Sequence, residues 1–210
     1  MTAAATASLE AEGLAAVRGH TRVFAGVAVR VEAGQTLFVT GPNGSGKTTL
    51  LRMLAGLTAP AAGVIRWMGR VVAPLDARSR DDVAFAGHLP ALKDELSALE
   101  NLVALLVLGG ETADERQTVA ALDRVALSRQ RTLSARVLSQ GQRRRIGLAR
   151  LALARKALWI LDEPATGLDS DGISILTTLL REHVDAGGCA IVATHQPLAV
   201  SRFETLALPA

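Results

Sequence analysis

Gly41-Pro42-Asn43-Gly44-Ser45-Gly46-Lys47-Thr48 sets a glycine, four intervening residues and then Gly-Lys-Thr between an apolar run and a helical pattern. This spacing suits a polyphosphate. Glycines let successive backbone N–H groups turn inward around a phosphate, the following helix offers its positive end, and a lysine adds a mobile point charge. Lys47 is expected on the γ-phosphate, Thr48 on Mg²⁺ through its hydroxyl, and Thr49 at the edge of the same nucleotide-binding stretch. Taken alone, the motif also fits a glycine-rich turn that merely joins a strand to a helix. A second element removes that ambiguity: Leu158-Trp159-Ile160-Leu161-Asp162-Glu163 reads as a buried strand delivering two adjacent carboxylates at its C-terminal end, where parallel sheets bind ligands. Successive side chains on an extended segment point in different directions. Asp162 is therefore expected to hold the Mg²⁺ shell, and Glu163 to face the attacking water as general base. Together the two elements describe a site that binds and hydrolyses a nucleoside triphosphate.

A third motif, Leu138-Ser139-Gln140-Gly141-Gln142, leads into a helix expected over Arg143–Arg155. Ser139 and the backbone N–H of Gly141 then stand at a helix N-terminus, able to bind a phosphate, although a serine N-cap with a glycine in the first turn is also ordinary helix chemistry. Its position between the phosphate loop and the acid pair resembles the ABC ATPase family, whose pattern is Leu-Ser-Gly-Gly-Gln, with Gln140 replacing a glycine. The resemblance covers nearly the whole chain. It implies that Ser139, Gln140, Gly141 and Gln142 contact the ATP held by the phosphate loop of a second copy. It also implies that Gly167-Leu168-Asp169 forms the D-loop, with Asp169 at the dimer seam, and that His195 contacts the γ-phosphate and positions the attacking water. His88 falls where relatives carry the Q-loop glutamine. Arg18, or its neighbour His20, falls where relatives stack an aromatic ring on adenine, and this chain contains no tyrosine.

Finer likeness lies in segments that vary between ABC subfamilies. Gly87-His88-Leu89-Pro90-Ala91-Leu92-Lys93-Asp94-Glu95-Leu96-Ser97-Ala98-Leu99-Glu100-Asn101-Leu102 resembles the cytochrome c maturation, or haem exporter, ATPases. So do Ile65-Arg66-Trp67, Arg143-Arg144 after the signature, Leu158 to Pro164, Thr194-His195-Gln196-Pro197-Leu198 and the stop at Ala210. That resemblance implies ATP and Mg²⁺ as ligands, a homodimer in the assembled complex, and separate multi-spanning membrane subunits of a cytochrome c maturation system. It places the work at the cytoplasmic face of a bacterial inner membrane, where hydrolysis drives haem export or release of a haem chaperone. Other readings are the ATPase of a different ABC exporter, a soluble ABC protein acting on ribosomes or DNA, and a nucleotide sensor without turnover. The soluble reading is opposed by a single cassette without heptads, and the sensor by the presence of both Glu163 and His195.

These residues require a particular set of elements. Leu37–Thr40 reads as the strand entering the phosphate loop, Thr48–Leu57 as the helix leaving it, and Ala157–Leu161 and Cys189–Thr194 as buried parallel strands. Ile173–Asp185 is a helix candidate closed by Gly187-Gly188. Ser97–Leu108 and Thr112–Val125 carry a helical composition. The expected fold is α/β: a P-loop NTPase (RecA-like) core with a mostly parallel sheet, an N-terminal antiparallel β portion and an inserted α-helical lobe over about 90–150, all within one domain, 1–210.

Composition bounds the rest. With 210 residues and 49% apolar content, one substantial core is affordable, but no run approaches the roughly 20 apolar residues of a membrane span. Met1–Leu9 lacks the charged and apolar regions of a secretory signal, so the chain is expected to stay in the cytoplasm. Cys189 is the only cysteine, excluding an internal disulfide; it reads as a small buried hydrophobe. The net charge of +3 is a small excess, and no nucleic-acid partner is expected. Its densest cluster, Arg143–Arg145, fans out around a helix and reads as a solvated or phosphate-neighbouring face.

Overall fold

The structure, a computed structural model, describes residues 8–74, 81–88, 91–112 and 114–209. The start at 1–7, Leu89-Pro90 and Ala210 lie outside the described residues. The chain divides into two compact units: one takes the described residues of Met1–Phe85, Lys156–Glu163 and Leu180–Ala210, the other Ala86–Arg155 and Pro164–Leu179.

In the first unit, β1 (Ser8–Arg18) and β2 (Thr21–Glu32) form a long antiparallel hairpin turning at Gly19-His20. Its alternating apolar residues bury Leu9, Ala11, Leu14, Val29 and Val31 on one face, the period-2 pattern of a sheet with one wet side. On the other edge of β1 lie β4 (Ala62–Trp67) and then β5 (Arg70–Val71), giving the order β2-β1-β4-β5. The second sheet has the order β6-β7-β8-β3-β9, built from β3 (Thr36–Thr40), β6 (Val83–Ala86), β7 (Leu158–Asp162), β8 (Cys189–Ala193) and β9 (Phe203–Ala207). Strands β7, β8, β3 and β9 run parallel. β7 and β8 are buried at every position, as continuous Leu/Ile/Val runs of parallel sheets are. Between the two sheets lies α1 (Lys47–Leu54), whose Leu50, Leu51 and Leu54 join Leu14, Phe24, Val39, Ile160 and Ile191 in one core.

The second unit is helical: α2 (Ala98–Leu108), α3 (Glu115–Arg124), a short 3₁₀ turn (Ala135–Val137), α4 (Gln140–Leu153) and the N-terminal part of α5 (Ser170–Asp185). Leu102, Leu106, Leu122, Val125, Leu127, Ile146 and Leu151 are among its buried apolar residues. Ser97 and Glu100 close α2 with a reciprocal capping box, satisfying two orphan donors. The same contacts, led by the Ser97 backbone N–H, hold the Glu100 carboxyl below its usual range. Buried Asn101 ties the preceding loop to α2 through Lys93, Leu96 and Ser97.

Several boundaries differ from the sequence expectation, each for a local reason. The loop helix begins at Lys47 and stops at Leu54 because Gly56 takes φ +68°, a helix-ending conformation. The helix expected from Thr112 begins at Glu115, because the Asp114 side chain accepts from the Arg116 and Gln117 N–H groups. α4 starts at Gln140 rather than Arg143, so the signature residues are themselves its first turn. α5 starts at Ser170 because Asp169 accepts from the Gly172 N–H at 2.9 Å. The solvated reading of the arginine cluster is also corrected: Arg144 and Arg145 are only 8% and 9% exposed, and Arg143 is ion-paired with Asp94 at 2.6 Å. They point to different sides of α4, two of them buried and Arg143 partly exposed, so they form no continuous solvated surface.

Candidate functional site

Both halves of the nucleotide site lie in the first unit. β3 feeds the loop, whose turn depends on two glycines. A Cβ on Gly41 (φ +142°) would sit 2.7 Å from the Leu208 carbonyl oxygen, and one on Gly46 (φ +95°) would sit 2.6 Å from Val23 Cγ1. Neither position has room for a side chain, and both backbones lie in the region that favours glycine. The loop closes on itself. Lys47, 8% exposed, donates from Nζ to the carbonyls of Gly41 at 2.8 Å and Pro42 at 3.1 Å. Ser45 Oγ is sealed from solvent without a hydrogen-bond partner, and such an orphaned polar atom in a phosphate loop fits an anion's oxygen. A cleft of about 560 Å³ opens over the loop, lined among others by Arg18, Asn43, Lys47, Thr49, Asp162 and Glu163, ample for a nucleotide.

The acid pair arrives on β7. Asp162, the last strand residue and 3% exposed, accepts from the Thr48 hydroxyl at 2.9 Å. One hydroxyl and one carboxylate oxygen thus converge at the start of α1, a hard-oxygen donor set that fits Mg²⁺. Glu163 leaves the strand with φ +52°, a left-handed backbone uncommon for a residue with a Cβ. Its N–H donates to the Ala193 carbonyl at 2.9 Å, so the neighbouring strand β8 holds the turn. Glu163 Oε1 is sealed from solvent and makes no hydrogen bond, while His195 Nε2 stands 3.3 Å away. His195 is half exposed and sits in a turn just past β8, where the Gln196 N–H donates to Thr194 Oγ1 at 3.0 Å. The phosphate loop, Thr48, Asp162, Glu163 and His195 are therefore brought together, and Arg18 lines the same cleft at the hairpin end. Its neighbour His20 is exposed in the hairpin turn.

The remaining candidates belong to the helical unit. Ser139 is the N-cap of α4: its Oγ accepts from the Gln142 N–H at 3.2 Å, and its own N–H donates to Gln142 Oε1 at 2.9 Å. The Gln142 side chain is thereby engaged in the cap. A Cβ on Gly141 would lie 3.1 Å from the Gly167 carbonyl oxygen, so signature and D-loop touch within this unit. Asp169 is two-thirds exposed and accepts from Arg145 Nη2. That bond, followed by the Gly172 N–H, holds its carboxyl below the usual range. His88 is exposed just after β6.

Sequence reasoning missed the direct Thr48–Asp162 bond, the left-handed Glu163 and a buried ring pair. Trp159 on β7 and His183 on α5 stack with centroids 4.1 Å apart and planes 7° from parallel. His183 Nε2 stands 3.1 Å from the Cys189 carbonyl. Neither ring carried a motif; only the apolar setting of Trp159 was visible. Cys189 is buried as expected, and burial pushes its thiol up to about 12.

Residues 24–166 match the family model described as ABC transporter. The chain is 45% identical over 193 residues to a cytochrome c biogenesis ATP-binding export protein of Nitrosomonas europaea, covering 92% of this chain and 91% of that protein. It is 48% identical over 198 residues to a like-named protein of Aromatoleum aromaticum, covering 93% and 92%. Among solved structures, a putative ABC transporter ATP-binding protein from Pyrococcus furiosus superposes with a TM-score of 0.82 at 24% identity, over 95% of this chain and 97% of that one.

Proposed function

Because the chain belongs to the ABC transporter family of ATP-binding proteins, we propose that it is the ATP-hydrolysing subunit of a complex for c-type cytochrome biogenesis. The observation that carries the hydrolytic part is the convergence of Lys47, Thr48, Asp162 and Glu163 on one cleft, with His195 beside Glu163. The cytochrome part is supported by identities of 45% and 48% over nine-tenths of the relatives' length.

In this reading the loop N–H groups cradle the β-phosphate, and Lys47 turns from the Gly41 and Pro42 carbonyls to the γ-phosphate. Thr48 and Asp162 would hold Mg²⁺, which when bound would supply positive charge against the negative charge developing on the phosphate. Glu163 accepts a proton from the attacking water as the oxygen bonds to the γ-phosphorus, and the bond to the ADP oxygen breaks. His195 contacts the γ-phosphate and orients that water from its place beside Glu163. Arg18 lies under the purine, where a guanidinium plane can stack. The signature Ser139, Gln140, Gly141 and Gln142, with Asp169 at the seam, completes the site of a second copy, so two ATP molecules are shared by a homodimer. Residues 1–210 act as one ATP-binding domain with the segment 90–150 as its helical lobe, and His88 takes the Q-loop position. No helix among the described residues is long and apolar enough to cross a membrane. In the proposed complex, coupling runs through separate membrane subunits at the cytoplasmic face, with no nucleic acid involved.

The deciding experiment is affinity capture from gently solubilised membranes with and without ATP. Recovery of a multi-spanning subunit with haem-handling proteins is expected. Recovery of an unrelated permease, or of ribosomes, leaves the ATPase assignment and overturns the cytochrome one.

A further inference from the structure

Three consecutive arginines open α4, and they are treated differently. Arg143 pairs with Asp94 and Arg145 with Asp169. Arg144, 8% exposed, makes no hydrogen bond or ion pair among the described residues: its Nε is sealed from solvent without a partner. Burial strips part of the water from this cation, and no carboxylate replaces it as Asp94 and Asp169 do for the two neighbours.

The surroundings of Arg144 indicate what it awaits. Gln140 and Arg144 are four apart on α4 and share a face, where side chains lean toward the helix N-terminus. Both reach one spot: a Cβ on Gly167 would lie 3.3 Å from Gln140 Cδ and 3.5 Å from Arg144 Nε. The Ser139 cap satisfies the Gln142 N–H, and the N–H groups of Gln140 and Gly141, earlier in the turn, have no partner within the helix. An unpaired guanidinium therefore adjoins free backbone donors at a helix N-terminus, an arrangement made for an oxyanion.

We infer that Arg144 is a phosphate-contacting residue for the ATP of a second copy of this chain, supplying a guanidinium in trans from beneath the signature turn. The inference rests on the proposed dimer and adds to it a charge that the signature turn itself does not contain. It also gives Gln140 a part: the amide fills the space over Gly167 and holds Arg144 near the turn until the second copy's nucleotide arrives. The guanidinium and the terminal phosphate then form a charge-assisted pair, and the burial that is unfavourable in the single chain becomes favourable in the closed dimer.

The test uses the full chain carrying Glu163→Gln, so that ATP is held unhydrolysed, and compares it with Glu163→Gln/Arg144→Met and Glu163→Gln/Arg144→Lys. Sedimentation velocity across an ATP series is expected to show association weakened about tenfold or more by Arg144→Met, with part recovered by Arg144→Lys. Binding of a fluorescent ATP analogue to the single chain should be the same in all three. Without nucleotide, the Arg144→Met protein should melt at or above the temperature of its parent, since no hydrogen bond or ion pair is lost and a partly desolvated charge is removed. Equal association of parent and Arg144→Met variant overturns the role of Arg144 alone. Melting of the Arg144→Met variant below its parent also overturns it, by making the arginine structural. A parent that stays monomeric in ATP overturns the dimer reading, and this inference with it.

Discussion

Thr48 Oγ1 donates to Asp162 Oδ2 at 2.9 Å, joining residues 114 positions apart. The single hydroxyl hydrogen is committed to the carboxylate, while both oxygens keep lone pairs for a cation. The hydroxyl can turn its lone pairs outward at little cost, whereas the carboxylate is fixed at the end of a fully buried strand.

Replacing Thr48 by Val removes this bond and one donor for Mg²⁺ together. Stability should fall by about 1 kcal/mol, measured by urea unfolding. The Mg²⁺ concentration for half-maximal ATP turnover should rise on the order of tenfold or more. A variant with unchanged Mg²⁺ dependence would remove Thr48 from the metal set.

Lys47→Met should keep the fold, because the lysine bonds only to carbonyls of its own loop. Nucleotide affinity should drop roughly tenfold to a hundredfold, the worth of one charged hydrogen bond of about 1.5–3 kcal/mol. Titration calorimetry of the purified chain measures it directly.

Glu163→Gln keeps the shape of the side chain and removes its basicity. ATP should bind within about twofold of the parent, while turnover falls by about 10²–10⁴, the usual worth of a general base. Near-normal turnover in this variant would mean that the proton goes elsewhere.

The buried imidazole of His183 sets a pH limit. Burial holds its pKa below the ordinary 6.5, against the opposing pull of the Cys189 and Ala157 carbonyls. Below about pH 6.5 the unfolded chain therefore takes up a proton that the folded chain refuses, and stability declines as the pH falls toward the folded value. The difference in melting temperature between the parent and His183→Gln should shrink on acidification through that window and be constant above it. A difference that does not change with pH contradicts the assignment.

Gly188→Ala tests the same corner by shape. A Cβ there would run into the His183 ring, so the ring must leave its stack on Trp159. Overpacking of this kind costs about 1–3 kcal/mol, and the change in Trp159 fluorescence should accompany the loss.

The sequence carried the nucleotide site well because its parts are backbone-dictated: glycines where no Cβ fits, and acids at the end of a strand that is apolar throughout. What stayed hidden depends on partners far away in the chain. Nothing local to Arg143–Arg145 reveals that Asp94 and Asp169 take the outer two and leave the middle one unpaired. The left-handed turn at Glu163 is equally illegible, since glutamate has no propensity for it; the Ala193 carbonyl on β8 imposes it. The helix starts slipped for a related reason, as Asp114, Ser139 and Asp169 cap with side chains whose geometry composition does not display.

The place of β3 in its sheet bears on biosynthesis. The strand that feeds the phosphate loop is flanked by β8 on one side and β9 on the other, and the Leu208 N–H donates to the Thr40 carbonyl at 2.8 Å. Residues of β3 are thus held by residues 166 positions later, and such non-local pairing folds slowly. During synthesis, the loop waits without its walls until β8 and β9 have been made. A nascent chain that ends before β9 is therefore expected to lack the sheet that braces the loop.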